Sequence, residues 1–133
     1  MKGLELIQAV MERRKVERIP WVPFVGAHAG ELLGVDATTY FKSEQHIIDG
    51  VELAINKYNP DGIPVTFDLQ IEAEVLGCDI KWSKDNPPAV VSHPLADGSL
   101  KLEDLKVPCR CKGRIATVMN AATKIKENHP DIA

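Results

Sequence analysis

Leu4, Ile7, Val10 and Met11 recur at helical spacing, with Glu5, Gln8, Glu12 and Arg13 on the opposite side of the wheel. That period predicts an amphipathic helix over residues 3–14. The next apolar run, Trp21–Val25, reads as a buried strand. Pro23 makes it irregular or places it at a sheet edge, because proline has no amide to give to a ladder. A short helical piece is predicted from Gly26 to Gly34 around Glu31-Leu32-Leu33, and Asp36 can cap the turn carrying Thr38 to Phe41. The longest helix spans 43–58, with Ile47, Ile48, Val51, Ala54, Ile55 and Tyr58 on one stripe. Ser43 is its N-cap, and Glu44 sits in the electropositive first turn. Asn59-Pro60-Asp61-Gly62 stops this helix and turns the chain into a second apolar run, 63–67. Strand, helix, strand in this order is the βαβ unit of a parallel sheet.

The second run ends on a carboxylate, Asp68, and a short helical segment follows that Gly77 stops. Beyond Cys78 the texture changes. Asp79–Ser83 and Ala89–His93 read as two short strands of a hairpin joined by Lys84-Asp85-Asn86-Pro87-Pro88. Residues 96–108 are a polar connector turning at Asp97-Gly98. A last helix is predicted over 112–128, with Ile115, Val118, Met119, Ala122 and Ile125 on one face. Pro130 ends it, and Asp131-Ile132-Ala133 looks like the start of another strand. The chain has no internal repeat and no low-complexity segment.

Asp68 is the strongest candidate for chemistry. In α/β proteins a side chain at the end of a buried strand leaves the packed layer and faces a crevice. The plainer reading is a helix cap for the segment starting at 69 or 70. His28 follows the first strand in Gly26-Ala27-His28-Ala29-Gly30, where small residues let a ligand approach the backbone. This puts His28 at the same end of the sheet as Asp68. Its neutral imidazole suits proton movement or metal binding near pH 7, and the plainer reading is a polar residue in a loop. Glu72 shares a helix face with Asp68 and borders the site, whereas Glu74 is turned away. Glu72 reads equally well as a solvated acid favoured by the helix dipole. Cys109-Arg110-Cys111 has no third or fourth ligand close by, so the two cysteines read as reduced thiols and no metal site is expected in residues 1–133. Cys78 packs behind the Gly77 stop. His46, His93 and His129 read as surface or supporting groups, and Trp21 and Trp82 as covers for the core or an interface.

Sixteen basic and nineteen acidic residues give a net charge of −3, with the signs interspersed. No basic patch marks a nucleic-acid surface. No run is long enough to cross a membrane, and Met1-Lys2-Gly3 leads directly into the first helix. Three cysteines, an odd number without framework spacing, fit a reducing compartment, so the protein is expected in the cytoplasm.

Thr66-Phe67-Asp68 followed by Glu72-Ala73-Glu74-Val75-Leu76-Gly77-Cys78 resembles the uroporphyrinogen decarboxylase superfamily. Arg18-Ile19-Pro20 before an apolar strand, then Gly26, is similar to the opening of that family. Trp82, Pro87-Pro88 and Ser92-His93-Pro94-Leu95 resemble the segment after its first acid helix. The Glu72–Cys78 version is closer to the cobalamin-linked methyltransferase branch than to the haem-pathway decarboxylase. The resemblance implies an α/β fold, the N-terminal portion of a (β/α)8 TIM barrel with a short hairpin excursion. Such barrels need about 250 residues, so the 133 residues are expected to be an N-terminal fragment of one barrel domain, its C-terminal part absent. A truncated chain, a proteolytic remnant and one half of a nicked enzyme all fit.

By resemblance, Asp68 lies at the floor of the active-site cleft, as the catalytic residue, with Gly26, His28 and Glu72 at the substrate. In the decarboxylase branch the loop after the first strand carries two arginines that grip tetrapyrrole carboxylates. Here that loop, Phe24–Gly30, has none. Arginine's planar fork is hard to replace in that task. The expected activity of the intact protein is therefore methyl transfer between a corrinoid protein and a thiol or folate acceptor. Uroporphyrinogen III decarboxylation is the alternative within enzymes, and a non-catalytic binding or regulatory module the alternative of another class. The methyltransferase resemblance implies zinc, held by a His and two Cys of the C-terminal half, and a corrinoid partner. No cofactor is expected on this fragment. Alone it is expected to be inactive and to self-associate or bind a C-terminal fragment, because open strand edges seek partners.

Overall fold

Ile47, Val51, Ala54 and Ile55 of the long apolar stripe are buried. The helix that carries them, α4 (Glu44–Tyr58), is the centre of the fold. Ser43 caps it by accepting from the His46 amide at 3.2 Å, and Asn59 ends it in the left-handed region. Against α4 pack α2 (His28–Leu33), α3 (Ala37–Lys42) and α6 (Gly113–Asn128). Asp36 caps α3 by accepting from Thr39 N at 2.8 Å, as its position in the sequence suggests. Ala29, Tyr40, Phe41, Ala121 and Ile125 complete the core around the α4 stripe. The α2–α4 crossing is very close. A Cβ on Gly50 would lie 2.7 Å from the Tyr40 ring and 2.9 Å from the Ala29 carbonyl oxygen, so only glycine admits this approach.

This computed structural model describes residues 1–133. The first helix, α1, spans Gly3–Met11 and is shorter than its apolar period suggests, because Arg13 takes a left-handed turn at φ 56°. α5 is a short helix, Ile71–Val75. The one sheet is a two-stranded antiparallel pair, β1 (Ile80–Lys81) and β2 (Ala89–Val90), with Ile80 opposite Val90. This is the expected hairpin, reduced to two residues on each side. A 3-10 turn, Leu102–Asp104, interrupts the polar connector.

The two apolar runs expected as buried parallel strands form no continuous ladder, and the second bends at Val65. Asp61 N donates to Trp21 O at 2.9 Å, Ile63 N to Ala133 O at 2.9 Å, and Ala133 N to Asp61 O at 3.1 Å. One residue bonded to two partners two positions apart is the spacing of parallel pairing. Three segments thus begin to align side by side, and the C-terminal residues take a strand-like place. The pairing stops there, and Trp21, Val22, Phe24 and Phe67 are exposed. An extended run without neighbours on both edges and both faces stays unpaired, whatever its apolar content.

Asp61 anchors this alignment. Its buried carboxylate takes both terminal nitrogens of Arg18 at 2.6 Å and the Trp21 amide at 2.8 Å. The Arg18 guanidinium, with the Trp21 amide, holds the Asp61 carboxyl below the usual carboxylate range. Arg18-Ile19-Pro20 therefore has a structural role, fixing the start of the first extended run to the start of the second.

Candidate functional site

Asp68 sits where the second extended run ends, and its side chain is wholly buried. Oδ1 accepts from the Gln70 amide at 2.9 Å, an Asx turn that leads into α5. Oδ2 accepts from Arg114 Nη1. Arg114 stands in the first turn of α6 and is itself buried. Its Nε donates to Glu74 Oε2 at 2.6 Å. One guanidinium thus ties the loop after the second run, α5 and α6 together. Its face also lies over Trp82, 4.7 Å from the ring centroid, and Lys42 Nζ lies 4.2 Å from the same centroid. A cation over an indole face is attracted by the ring quadrupole.

Two buried polar atoms here have no partner: Arg114 Nη2 and Thr66 Oγ1. A buried donor left unpaired costs about 1–3 kcal/mol, and more when charged. Arg114 Nη2 is therefore suited to a water or an acceptor atom of a ligand.

The expected site residues separate into two groups. Gly26 lies beside the end of the second run: at φ 48° it is left-handed, and a Cβ on it would lie 3.4 Å from Phe67 Cβ. Phe24 and Phe67 meet edge to face with centroids 5.3 Å apart, so an aromatic pair marks the ends of the two runs. His28 turns elsewhere. Its Nε2 meets Tyr58 Oη at 2.7 Å and its Nδ1 meets Glu31 at 3.1 Å, so it shares no hydrogen-bond partner with Asp68. Glu72 is exposed, while Glu74, expected to face away, bonds to Arg114. The reason is the short α5. It starts at Ile71, so Asp68 lies outside it and helical spacing counted from Asp68 does not apply.

Arg114 has no sequence signal of its own. It is 46 residues from Asp68. Only its place in the first turn of α6, where a cation opposes the helix dipole, marks it as unusual.

The cysteines also depart from expectation. Cys109 and Cys111 are joined as a disulfide, not free thiols, in the exposed loop before α6. Their separation of two residues brings the sulfurs together without help from the rest of the fold. Cys78 is free. No group of three or more His, Cys, Asp and Glu side chains is gathered that would hold a metal ion. No helix is long and apolar enough to cross a membrane.

A methylated-thiol–coenzyme M methyltransferase of Methanosarcina mazei is 26% identical over 120 residues, 86% of this chain and 32% of the relative. The chain thus spans about a third of the length of the curated relative it matches. The solved structure of a methyltransferase from Methanosarcina mazei superposes with a TM-score of 0.82 at 20% identity, over 99% of this chain and 40% of that one. Residues 3–132, nearly the whole chain, match the uroporphyrinogen decarboxylase (URO-D) family, and the chain belongs to it.

Proposed function

We propose that residues 1–133 are the N-terminal part of a (β/α)8 barrel whose intact form is a corrinoid-linked methyltransferase. It passes a methyl group between a corrinoid protein and a thiol or folate acceptor. The observation that carries this reading is the character of the two run ends. They present the Phe24–Phe67 aromatic pair, and the loop from Phe24 to Gly30 has no guanidinium. The nearest cation to Asp68, Arg114, is buried and already engaged by Asp68 and Glu74. A tetrapyrrole with several carboxylates would need free, forked cations there. A small, weakly charged substrate would not. The methyltransferase relative from Methanosarcina mazei supports the same choice.

In this reading Asp68 is a fixed carboxylate that orients Arg114, and Arg114 Nη2 is a buried donor left without a partner beside it. Preorganised charge of this kind stabilises charge that develops during reaction. Zinc and the corrinoid protein belong to the reading for the intact enzyme. Residues 1–133 gather no donor set for zinc, so the zinc of this reading is held outside them. Cytoplasmic location, and association with a C-terminal fragment or a second copy, belong to the same proposal. The exposed Ile19, Phe24, Leu69 and Val107 support the association.

The test is an assay of the intact protein. Methyl transfer from a methylated corrinoid protein to a thiol is expected. Formation of coproporphyrinogen from uroporphyrinogen III would overturn the reading in favour of decarboxylation. Absence of both activities would favour a binding module. Asp68→Asn in the intact protein should lower turnover by about 10²-fold or more if the charge acts in the reaction. It keeps the oxygen that accepts from Gln70, so an Asp68 that only shapes the turn leaves turnover per folded molecule unchanged.

A further inference from the structure

Cys78 and His93 form a pair that shares no hydrogen bond with the Asp68–Arg114 cluster. Cys78 Sγ lies 3.7 Å from His93 Nδ1. Both are held by backbone geometry on independent sides. Gly77, at φ 102°, ends α5 with its amide bonded to Glu74 O at 3.1 Å, and Cys78 N bonds to Ala73 O at 3.0 Å. This is the Schellman arrangement, which fixes the residue after the glycine against the helix end. His93 starts the turn after β2, where its carbonyl accepts from Ala96 N at 2.9 Å and Asp97 N at 3.2 Å. The β1–β2 pair and the Asp79–Ser92 hydrogen bond at 2.6 Å bring the two segments side by side.

The pair opens on an apolar pocket of about 200 Å³, walled by Ala73, Leu76, Pro94, Leu95 and Leu105. A dry cavity of about 150 Å³ is enough to hold benzene. The pocket therefore suits a group the size of one small ring or a short branched chain, and its apolar walls disfavour a charged one.

We propose that Cys78 is a reactive thiol, with His93 as its base, that exchanges with small apolar disulfides seated in this pocket. With its proton on Nε2, His93 accepts the Cys78 thiol proton at Nδ1. The thiolate attacks one sulfur of the incoming disulfide. The Cys78–sulfur bond forms as the sulfur–sulfur bond of the disulfide breaks. The departing sulfur leaves with the bond's electron pair and takes the proton back from His93. Cys78 ends as a mixed disulfide, and one thiol is released for each disulfide consumed. The thiolate is the attacking form in such exchange, and an adjacent base supplies it. This inference does not depend on the methyltransferase reading.

The test uses the unmodified chain without added reductant. Dithiodipyridine is the apolar probe and hydroxyethyl disulfide the polar, uncharged one, with adducts located by peptide mass spectrometry. Cys78 should carry the adduct and react about tenfold or more faster than glutathione under the same conditions. It should prefer the aromatic probe by about tenfold beyond the preference glutathione itself shows. His93→Gln should bring the rate down to that of a free thiol. A Cys78 rate at or below that of glutathione, or one untouched by His93→Gln, overturns the role of His93. A probe preference equal to that of glutathione overturns the pocket. If the variant fails to fold, the wild-type rate and probe preference still decide.

Discussion

The α2–α3–α4–α6 core and the segment from Thr66 to Lys112 are held together by different physics. In the first, Ala29, Tyr40, Ile47, Val51, Ala54 and Ala121 are nearly or fully inaccessible to solvent, and most of the walls are helices, with Val25 and Ile63 added from the two apolar runs. In the second, only Asp68, Ile71 and Pro88 are buried. That segment has two-residue strands, a five-residue helix and a 3-10 turn, and it is pinned by polar contacts to distant residues. Arg114 holds one side of it and Lys42 touches Trp82 on another. Burial spread over many side chains tolerates the loss of one. A segment held by a handful of polar contacts, among them Arg114 to Asp68, Thr38 Oγ1 to Ser83 O and Ala37 N to Lys84 O, tolerates it less.

The sharpest way to break this contrast is Arg114→Ala. It leaves the buried Asp68 carboxylate without its counter-ion, and losing one partner of such a pair costs about 3–5 kcal/mol. Hydrogen exchange should show residues 68–90 losing protection first, with α4 amides still slow. Equal loss in α4 would mean that the two regions unfold as one unit.

Ile47→Ala tests the other side, at about 2–5 kcal/mol for a buried isoleucine cut to alanine. Urea unfolding should show the whole helical core weakened, in contrast to the local opening from Arg114→Ala. A cost below about 1 kcal/mol would mean that the core is less closely packed than its burial indicates.

Gly77→Ala is a smaller change, about 1–2 kcal/mol, because an L side chain is strained at φ 102°. It should loosen the end of α5, read as faster exchange at Gly77 and Cys78, whose amides close the helix. Thermal melting of the core should hardly move.

The smallest effect is a pH dependence. Asp61 is held below its usual range by Arg18. A carboxyl depressed in the folded state stabilises the fold above its unfolded value, and that stability is lost as pH falls through the folded value. Stability should therefore decline below about pH 4, and Arg18→Met should make that decline shallower. Identical acid limbs in the two proteins would remove Asp61 from the account.

The same contrast explains what the sequence discloses. The helical period of 43–58 and 112–128 identifies α4 and α6 within a residue, because an amphipathic stripe is a local signal that burial then uses. Ser43 and Asp36 cap as their positions indicate. The run at 63–67 has strand composition, but a strand is defined by its neighbours, and only Ala133 reaches it, through Ile63. At the candidate site the legible part is Asp68, at a run's end, and Gly26 beside it. Glu74 was obscured by counting helical turns from a residue outside the helix. Arg114 was obscured by distance along the chain. His28 was placed by the end of its run, although its partner, Tyr58, lies on the far end of α4. Cys109 and Cys111 show the limit of counting ligands, since two thiols that lack metal partners still have each other.

Trp82 makes this molecule its own reporter. The chain has two tryptophans. Trp21 is half exposed and is expected to emit as a solvent-relaxed indole, while the Trp82 ring lies against a guanidinium and an ammonium. Excited indole responds to nearby charge, so release of Arg114 from Asp68 shifts the colour and lifetime of one fluorophore and leaves the other as an internal reference. Occupancy at the buried carboxylate can thus be followed optically, in real time, without labelling the protein.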